Sequence, residues 1–275
     1  MRQLAVFCTL LLGAWLHAGP TDAAIVAAMK LPDAPNYAWV TTVVDDARTY
    51  DITGQTDKSD FSLVTMPMVS AVRRSAGRGS ANSDNQVEAV FLGAERCVIS
   101  TPEGWRTPDE LKSAASSERS GPYPGGPGGG GGIGFPGNSS RGRGRRGGPP
   151  QAYSNLQLNL SRPHEEIGVI VGSHTEIKAE GEIVSGTLSE TGAKLLLVHA
   201  GQNELTPLSA RGTFRLWIRD GALVKYEVTL AGKIAVETPN ARREVEVNQT
   251  STTELRAVGS TKFEIPAEAR KKLGG

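Results

Sequence analysis

The chain has 275 residues, and 30 Lys and Arg against 29 Asp and Glu leave a net charge of +1 at pH 7. This length allows one ordinary domain with additional segments. The balanced charge excludes a global bias toward nucleic acid or acidic partners.

The first 23 residues have the pattern of a secretory signal peptide. Arg2 precedes an apolar run over residues 4–16, and small-residue cleavage motifs follow at Leu16-His-Ala18 and Thr21-Asp-Ala23. The run is too short for a membrane-spanning helix. The chain is therefore predicted to be exported to the periplasm or the extracellular space, with no transmembrane segment after signal removal.

The cysteine content indicates that the fold is stabilised by its core and not by disulfides. Cys8 lies inside the apolar run, so removal of the signal peptide leaves Cys97 as the only cysteine. An exported chain would then have no intramolecular disulfide. Cys97 lies in a strand-like setting, which favours a buried small hydrophobe over a nucleophile.

The segment from residue 24 to residue 115 predicts a helix, a series of strands and a second helix. Aromatic and β-branched residues mark the strands, and Thr107-Pro-Asp-Glu110 has the form of a capping box. The predicted elements are a helix over 24–31, strands over 37–44, 61–66, 86–92 and 96–101, and a short helix that ends near residue 115.

Four carboxylates in this segment invite a comparison with cation sites. Their spacing does not match a calcium-binding loop, and carboxylates in turns are commoner. We therefore interpret as turn residues Asp45, Asp46, Asp57 and Asp60.

Residues 116–152 have a composition that cannot form a core. Glycine dominates residues 125–134, and four guanidinium groups follow in Arg141-Gly-Arg-Gly-Arg-Arg146. The glycine run lacks the Gly-Lys-Ser/Thr ending of a phosphate loop, which excludes nucleotide binding. We predict a disordered insertion, either inert or attracted to anionic envelope surfaces through Arg141, Arg143, Arg145 and Arg146.

Order is predicted to resume near residue 153. Ser161-Arg-Pro-His-Glu-Glu166 begins a helix with Ser161 as the N-cap. The His164-Glu165 pair lacks the second histidine of a zinc protease, because residue 168 is glycine. Alternation over 176–183 predicts a half-exposed strand, and Thr187-Leu-Ser-Glu190 forms a capping box before a helix that ends near Val198.

Residues 211–265 organise the chain as three long paired strands. We expect a three-residue loop over Arg219-Asp-Gly221, because a two-residue turn would place charged residues opposite apolar ones. The predicted register pairs Phe214 with Tyr226 and Leu216 with Val224. One face is then apolar: Phe214, Leu216, Ile218, Val224, Tyr226, Val228 and Leu230.

The alternation continues beyond this hairpin. Ile234 and Val236 keep the same parity, which predicts an unusually long strand in a strongly curved sheet. The next strand is polar on both faces over 249–253, either as solvated sheet or as the polar lining of a cavity. A short strand over 263–265 and a helix over 266–273 are predicted to end the chain.

Neither a metal site nor a catalytic motif is visible. The histidines outside the signal peptide are His164, His174 and His199, and none has the spacing of a metal ligand. No nucleophile-elbow sequence accompanies them. We therefore predict a protein that is not an enzyme and that needs no cofactor.

The C-terminal strands resemble those of exported LolA/LppX-like proteins. The resemblance rests on Trp217-Ile-Arg-Asp-Gly-Ala-Leu-Val-Lys225, the long strand after it, Thr252-Thr-Glu-Leu255 and residues 259–266. It implies a curved, half-open antiparallel sheet with helices on its concave side, and several members of these families carry lipids or lipoproteins. This chain departs from the lipoprotein members because no lipid-attachment cysteine follows the signal peptide, and the glycine-arginine insertion is foreign to the pattern.

Together, these features predict an α+β fold in which residues 24–115 and 153–275 form one curved antiparallel sheet with short covering helices. The expected function is non-enzymatic binding of a lipid or other apolar moiety between sheet and helices. The alternative is an envelope scaffold protein whose Arg-Gly segment contacts anionic surfaces. The candidate apolar lining is Phe214, Leu216, Ile218, Val224, Tyr226 and Val228.

Overall fold

The computed structural model describes residues 19–46, 48–67, 86–93, 96–119, 161–198, 205–238 and 241–274. The described helices are α1 (Pro20–Met29), α2 (Pro108–Arg119), α3 (Pro163–Ser173), α4 (Glu190–Leu197) and α5 (Ala267–Lys272). The described strands are β1 (Asn36–Asp45), β2 (Thr49–Asp57), β3 (Phe61–Pro67), β4 (Gln86–Leu92), β5 (Arg96–Thr101), β6 (Gly104–Arg106), β7 (His174–Glu180), β8 (Ile183–Leu188), β9 (Leu205–Arg219), β10 (Ala222–Thr238) and β11 (Ala241–Arg256).

All eleven strands belong to one antiparallel sheet in the order β6-β5-β4-β3-β2-β1-β11-β10-β9-β8-β7. The first six strands run from the middle of the sheet to one edge, and the last five return from the opposite edge. The two halves meet where β1 pairs with β11, with Trp39 opposite Leu255. Since β6 and β7 do not pair with each other, the sheet is not closed, and the predicted α+β class with an antiparallel sheet is confirmed.

Three strands are far longer than the rest. β9, β10 and β11 have 15, 17 and 16 residues, whereas a typical strand has about five or six. This confirms the long strand predicted from the alternation. Residues 205–211 of β9 and residues 241–248 of β11 pair only with β10 within the registers of the described sheet.

The predicted register of the central hairpin is wrong. Arg219 pairs with Ala222 around a two-residue turn, and Asp220 and Gly221 both have positive φ, at 52° and 69°, as the preferred hairpin turn requires. A bulge at Val224 then shifts the pairing, so that Tyr226 lies opposite Leu216. Phe214 consequently pairs with Val228. The bulge separates the apolar face from the charged face, so the longer loop that was predicted is not needed.

The main core lies between the sheet and four helices. Ala28 of α1, Leu111 of α2, Ile167 of α3 and Leu196 of α4 all join it. A second, smaller core lies on the other face of β3, β4 and β5, where α5 packs. We refer to the face that carries the main core as the inner face of the sheet and to the opposite one as the outer face.

Most other predicted elements are found, with corrections at their ends. Strand β2 was missed because its sequence is polar and contains Gly54, whose missing side chain makes room for the Trp39 ring. The strand predicted over 263–265 is not formed; these residues precede α5 without pairing into the sheet. The strand predicted over 176–183 ends at Glu180, because Gly181 turns the chain into β8 with a φ of 62°.

Two helix caps differ from their predictions. The N-cap of α3 is Arg162 and not Ser161, because Pro163 takes the first helical position and holds the preceding residue in an extended conformation. The N-cap of α4 is Ser189, whose hydroxyl accepts a hydrogen bond from the Gly192 amide at 3.2 Å. Thr187, predicted to cap that helix, instead pairs with Thr213 in the sheet.

The capping box at the start of α2 is confirmed. The Thr107 amide donates to Glu110 at 2.8 Å, and the Glu110 amide donates to the Thr107 hydroxyl at 3.2 Å. Two of the four aspartates interpreted as turn residues accept hydrogen bonds within turns. Asp57 accepts hydrogen bonds from the amides of Ser59 and Phe61, and Asp45 accepts one from the amide of Arg48.

Cys97 should react slowly with thiol reagents. Burial raises the pKa of this thiol from 9.0 to about 11, so the thiolate fraction at pH 8 is about 100-fold lower than for an unperturbed thiol. We expect the rate of alkylation by iodoacetamide, measured by mass spectrometry on protein without residues 1–23, to fall by that factor. Cys97 is half-buried in the structure. Unfolding in guanidinium should restore the ordinary rate; an equally fast reaction of the folded protein would contradict the raised pKa.

Candidate functional site

The predicted apolar lining lies at the centre of the inner face. Phe214, Leu216, Tyr226 and Val228 are at most 2% exposed and pack within the main core. Ile218 is half-buried at the edge of that core. Their role in binding a ligand remains a prediction.

Val224 does not occupy the place predicted for it. It is the extra residue of the bulge and is half-buried, whereas Leu223 is 5% exposed and pairs with Ile218. Leu223 therefore takes the core position that a regular strand would have given to Val224.

Above this face, the first turn of α3 carries a cluster of polar side chains into the core. The Tyr226 hydroxyl donates a hydrogen bond to Glu166 Oε2 at 2.6 Å. Glu166 shares one helical face with Pro163 and Ile170, both of which are buried, since residues three and four apart lie on the same side of a helix. The helix thus places a carboxyl group against the middle of the sheet.

A second tyrosine holds the same helix from β1. The Tyr37 hydroxyl and His164 Nδ1 are 2.6 Å apart and hydrogen-bonded, and Tyr37 is 2% exposed. Burial lowers the pKa of His164, which favours a neutral imidazole that accepts this hydrogen bond. Burial likewise raises the pKa of Tyr37. The two tyrosines therefore join α3 to strands on both sides of the β1/β11 pairing.

Arg162 closes the cluster at the start of α3. It is 5% exposed and forms ion pairs with Asp60, in the β2/β3 turn, and with Glu165, at 2.5 Å. Its amide also donates to Glu165 Oε2 at 2.9 Å. A buried guanidinium requires such partners, because leaving either charge unpaired would cost several kcal/mol.

The pKa values of two adjacent carboxyl groups in this cluster are shifted in opposite directions. Burial raises the pKa of Glu166 from its usual 4.5 to about 7, and the hydrogen bond from Tyr226 only partly offsets this effect. Burial also acts on Glu165, but the hydrogen bonds from Arg162 outweigh it and lower the pKa of that residue. Near pH 7 the cluster therefore holds one ionised and one partly protonated carboxyl group.

The polar cluster holds α3 on the sheet, and its geometry does not form a catalytic relay. His164 Nε2 lies 3.9 Å from Asp60, too far for a hydrogen bond, so Tyr37, His164 and Asp60 do not form a bonded relay. Within the part of the chain that the structure describes, there is no group of three or more His, Cys, Asp or Glu side chains placed to hold a metal ion. The cluster can tether α3 to the sheet and exchange a proton at Glu166.

Neither Tyr37 nor Glu166 was predicted from the sequence to belong to such a cluster. A carboxylate on the apolar stripe of α3 is a recognisable signal, because buried acidic residues are rare unless they are paired. The polar segment 249–253 belongs partly to the same region. Thr253 is fully buried on the inner face, and its hydroxyl is hydrogen-bonded to that of Thr41 at 2.7 Å.

The inner face continues as an apolar strip beyond the fully buried core. Where β9, β10 and β11 extend past the other strands, Ile234 pairs with both Pro207 and Val245, and Val236 pairs with Leu205. The strip consists of half-buried side chains that share this face: Leu205, Pro207, Ile234, Val236, Val245 and Val247. Leu197, the last residue of α4, approaches Gly232 at its near end.

Some predicted features lie outside the described residues. These are the signal peptide up to residue 18, most of the insertion, His199, and the anionic-surface residues Arg141, Arg143, Arg145 and Arg146. Among the helices that are described, none has the length and apolar character needed to cross a membrane.

Comparison with known proteins gives a similarity in fold and none in sequence. No protein-family model matches the chain, and no curated protein matches it. Among solved structures, the chain is similar to lipoprotein LppX of Mycobacterium tuberculosis, with 9% sequence identity and a TM-score of 0.39 over 88% of this chain and 97% of that one. LppX is a protein of the LolA/LppX-like group that the C-terminal strands were predicted to resemble.

Proposed function

We propose that this chain is an exported, non-enzymatic protein that binds a lipid or another apolar moiety between its sheet and its helices. The observation that carries the proposal is the apolar strip. Six neighbouring side chains on one face of three long strands are apolar, yet they remain only half-buried while the same face further along is closed. A contiguous apolar surface of this kind is a common feature of binding sites.

The energetics of the strip favour an extended apolar ligand. Burying one fully exposed large aliphatic side chain contributes about 1.5–3 kcal/mol, so completing the burial of a half-buried one contributes about half as much. An acyl chain could contact several of them at once. The strip leads directly to Val228 and Phe214 through Leu230 and Gly212. A chain that enters along the strip would therefore reach the predicted lining beneath α3 and α4.

A ligand that binds between sheet and helices has to displace α3, which the polar cluster tethers to the sheet. The described helix neighbours of α3 are α1 and α4. Two tyrosine hydrogen bonds join α3 to β1 and β10, and Ile167 and Ile170 pack in the main core. A layer held by a few polar bonds and a narrow apolar stripe can be lifted at lower cost than a fully interdigitated one.

Native mass spectrometry with lipid extraction tests the proposal on mature protein purified from its exported compartment. We expect near-stoichiometric lipid on the unmodified protein and about tenfold lower occupancy on Ile234→Asp, because a carboxylate in the strip opposes an acyl chain. Thr206→Asp is the matched control: it introduces the same charge on the neighbouring strand β9, at an exposed position on the outer face.

A milder variant separates loss of binding from loss of folding. Val245→Thr keeps the shape of the side chain but adds a hydroxyl to the strip, and circular dichroism would show whether each variant retains its β structure. A protein that carries no lipid, and gains no thermal stability when lipids are added, would contradict the proposal. Equal lipid occupancy in Ile234→Asp and Thr206→Asp would show that the apolar strip is not part of the binding site.

A further inference from the structure

A separate polar groove crosses the outer face of the sheet at β7, β8, β9 and β10. It encloses about 360 Å³, within the size range of ligand sites. Its lining includes the charged and hydroxyl side chains of Glu176, Lys178, Ser185, Thr213, Arg215 and Glu227. These residues alternate with buried ones such as Leu216, so they lie on the side opposite the main core.

The strand registers arrange these side chains in two rows. In one row Lys178 lies opposite Ser185, Ser185 opposite Arg215, and Arg215 opposite Glu227. In the next row Glu176, Thr187, Thr213 and Thr229 follow one another across the same four strands. Neighbouring strands are about 4.8 Å apart, so the groove offers a regular series of hydrogen-bonding groups.

The groove carries no net charge. Lys178 and Arg215 supply two cations, and Glu176 and Glu227 supply two carboxylates. Arg215 lies 3.7 Å from Glu227, and its side chain is 62% exposed, so most of its five N–H donors face solvent. Groups of both signs can bind hydroxyls strongly, because a charged donor or acceptor strengthens a hydrogen bond. A polyanion, by contrast, would meet two carboxylates.

An apolar surface borders the groove on the same face. Trp217 is two residues along β9 from Arg215 and lies opposite Ile183 and Lys225. The Lys225 ammonium lies 4.8 Å from the centre of the indole ring, and Ile183 is 37% exposed. The outer face therefore presents a half-buried aromatic ring beside closely spaced polar groups.

We propose that this groove binds a neutral oligosaccharide. A sugar ring has the matching two-sided chemistry: its hydroxyls can bond to Arg215, Glu227 and Ser185, while its C–H surface can contact Trp217. The absence of net charge in the groove favours a neutral glycan over an acidic one. The site is distinct from the apolar strip, which lies on the inner face.

Saturation-transfer NMR with chitotriose, cellotriose and maltotriose at millimolar concentration tests this proposal on the mature protein. We expect transfer to at least one of these sugars, and a loss of affinity of about tenfold in Arg215→Ala, since hydrogen bonds to a charged group are replaced by water. Arg211→Ala is the matched control, because Arg211 is an exposed arginine of the same strand and face outside the groove lining.

Trp217→Ala should weaken the binding of the same sugar. The fold of this variant is checked by circular dichroism, because the Trp217 ring is half-buried. The proposal is overturned if none of the three sugars shows transfer, or if Arg211→Ala and Arg215→Ala lose affinity equally. Stronger binding of a sulfated oligosaccharide than of the neutral ones would also overturn it, since that result would indicate a general anion site. None of these outcomes depends on whether the inner face carries lipid.

Discussion

Replacing Gly186 by alanine should lower the free energy of unfolding by about 3 kcal/mol. Gly186 lies in β8 between Ile177 and Phe214, and an added methyl group would overlap the Glu176 carbonyl oxygen and lie 2.7 Å from Phe214 Cζ. The main chain of β7 cannot move away without loss of strand pairing, and the Phe214 ring is fixed in the core. We expect the melting temperature to fall by about 10 °C.

The matched control is the same substitution in a helix. Gly168 lies inside α3, and a methyl group there would meet nothing within 4 Å. Gly168→Ala should therefore raise the free energy of unfolding by up to about 1 kcal/mol through helix propensity alone. Both changes would be measured by urea denaturation followed by circular dichroism. Equal stability of Gly186→Ala and the unmodified protein would show that β7 and Phe214 do not approach Gly186 as closely as described.

The second large effect is a pH dependence that comes from Glu166. The pKa of Glu166 is about 7 in the folded protein and 4.5 when unperturbed, so between these values the folded state binds more protons than the unfolded state. Its contribution to stability is complete below pH 4.5 and is lost as the pH rises to 7. With about 1.4 kcal/mol per pH unit, the loss relative to Glu166→Gln amounts to roughly 3 kcal/mol.

Glu165 is a suitable control, because its pKa is shifted in the opposite direction. The pKa of Glu165 is lowered, so its contribution is present above pH 4.5 and is lost only as the pH falls through the folded value. Stability curves of Glu165→Gln should therefore keep the decline between pH 4.5 and 7, whereas those of Glu166→Gln should lack it. If both variants decline as steeply as the unmodified protein, the Glu166 carboxyl is not buried against Tyr226.

Most of the longer strands were predictable from sequence because their signal is local. Alternation with period two marks the long strands, and aromatic or β-branched residues mark β1, β3, β4 and β5. The hairpin register was not predictable in the same way. A three-residue loop and a two-residue turn followed by a bulge both restore the apolar face, and only the structure shows that the bulge lies at Val224.

The polar cluster depends on contacts that are remote in sequence. Tyr226 and Glu166 are 60 residues apart, and Tyr37 and His164 are 127 apart. Each of these residues has an ordinary local setting, and only the packing of α3 on the sheet brings them together. The outer groove was missed for a related reason: its charged residues looked like a solvated face in each separate strand, and their rows form only across four strands.

Photo-crosslinking is the most direct test of whether an apolar moiety binds between sheet and helices. A fatty acid with a terminal diazirine would be incubated with mature protein, irradiated, and its adducts mapped by peptide mass spectrometry. We expect adducts on Leu205, Ile234 or Val245, and we expect unlabelled fatty acid to reduce their yield by competition. Adducts confined to the outer face, or a yield that competitor does not reduce, would contradict binding between sheet and helices.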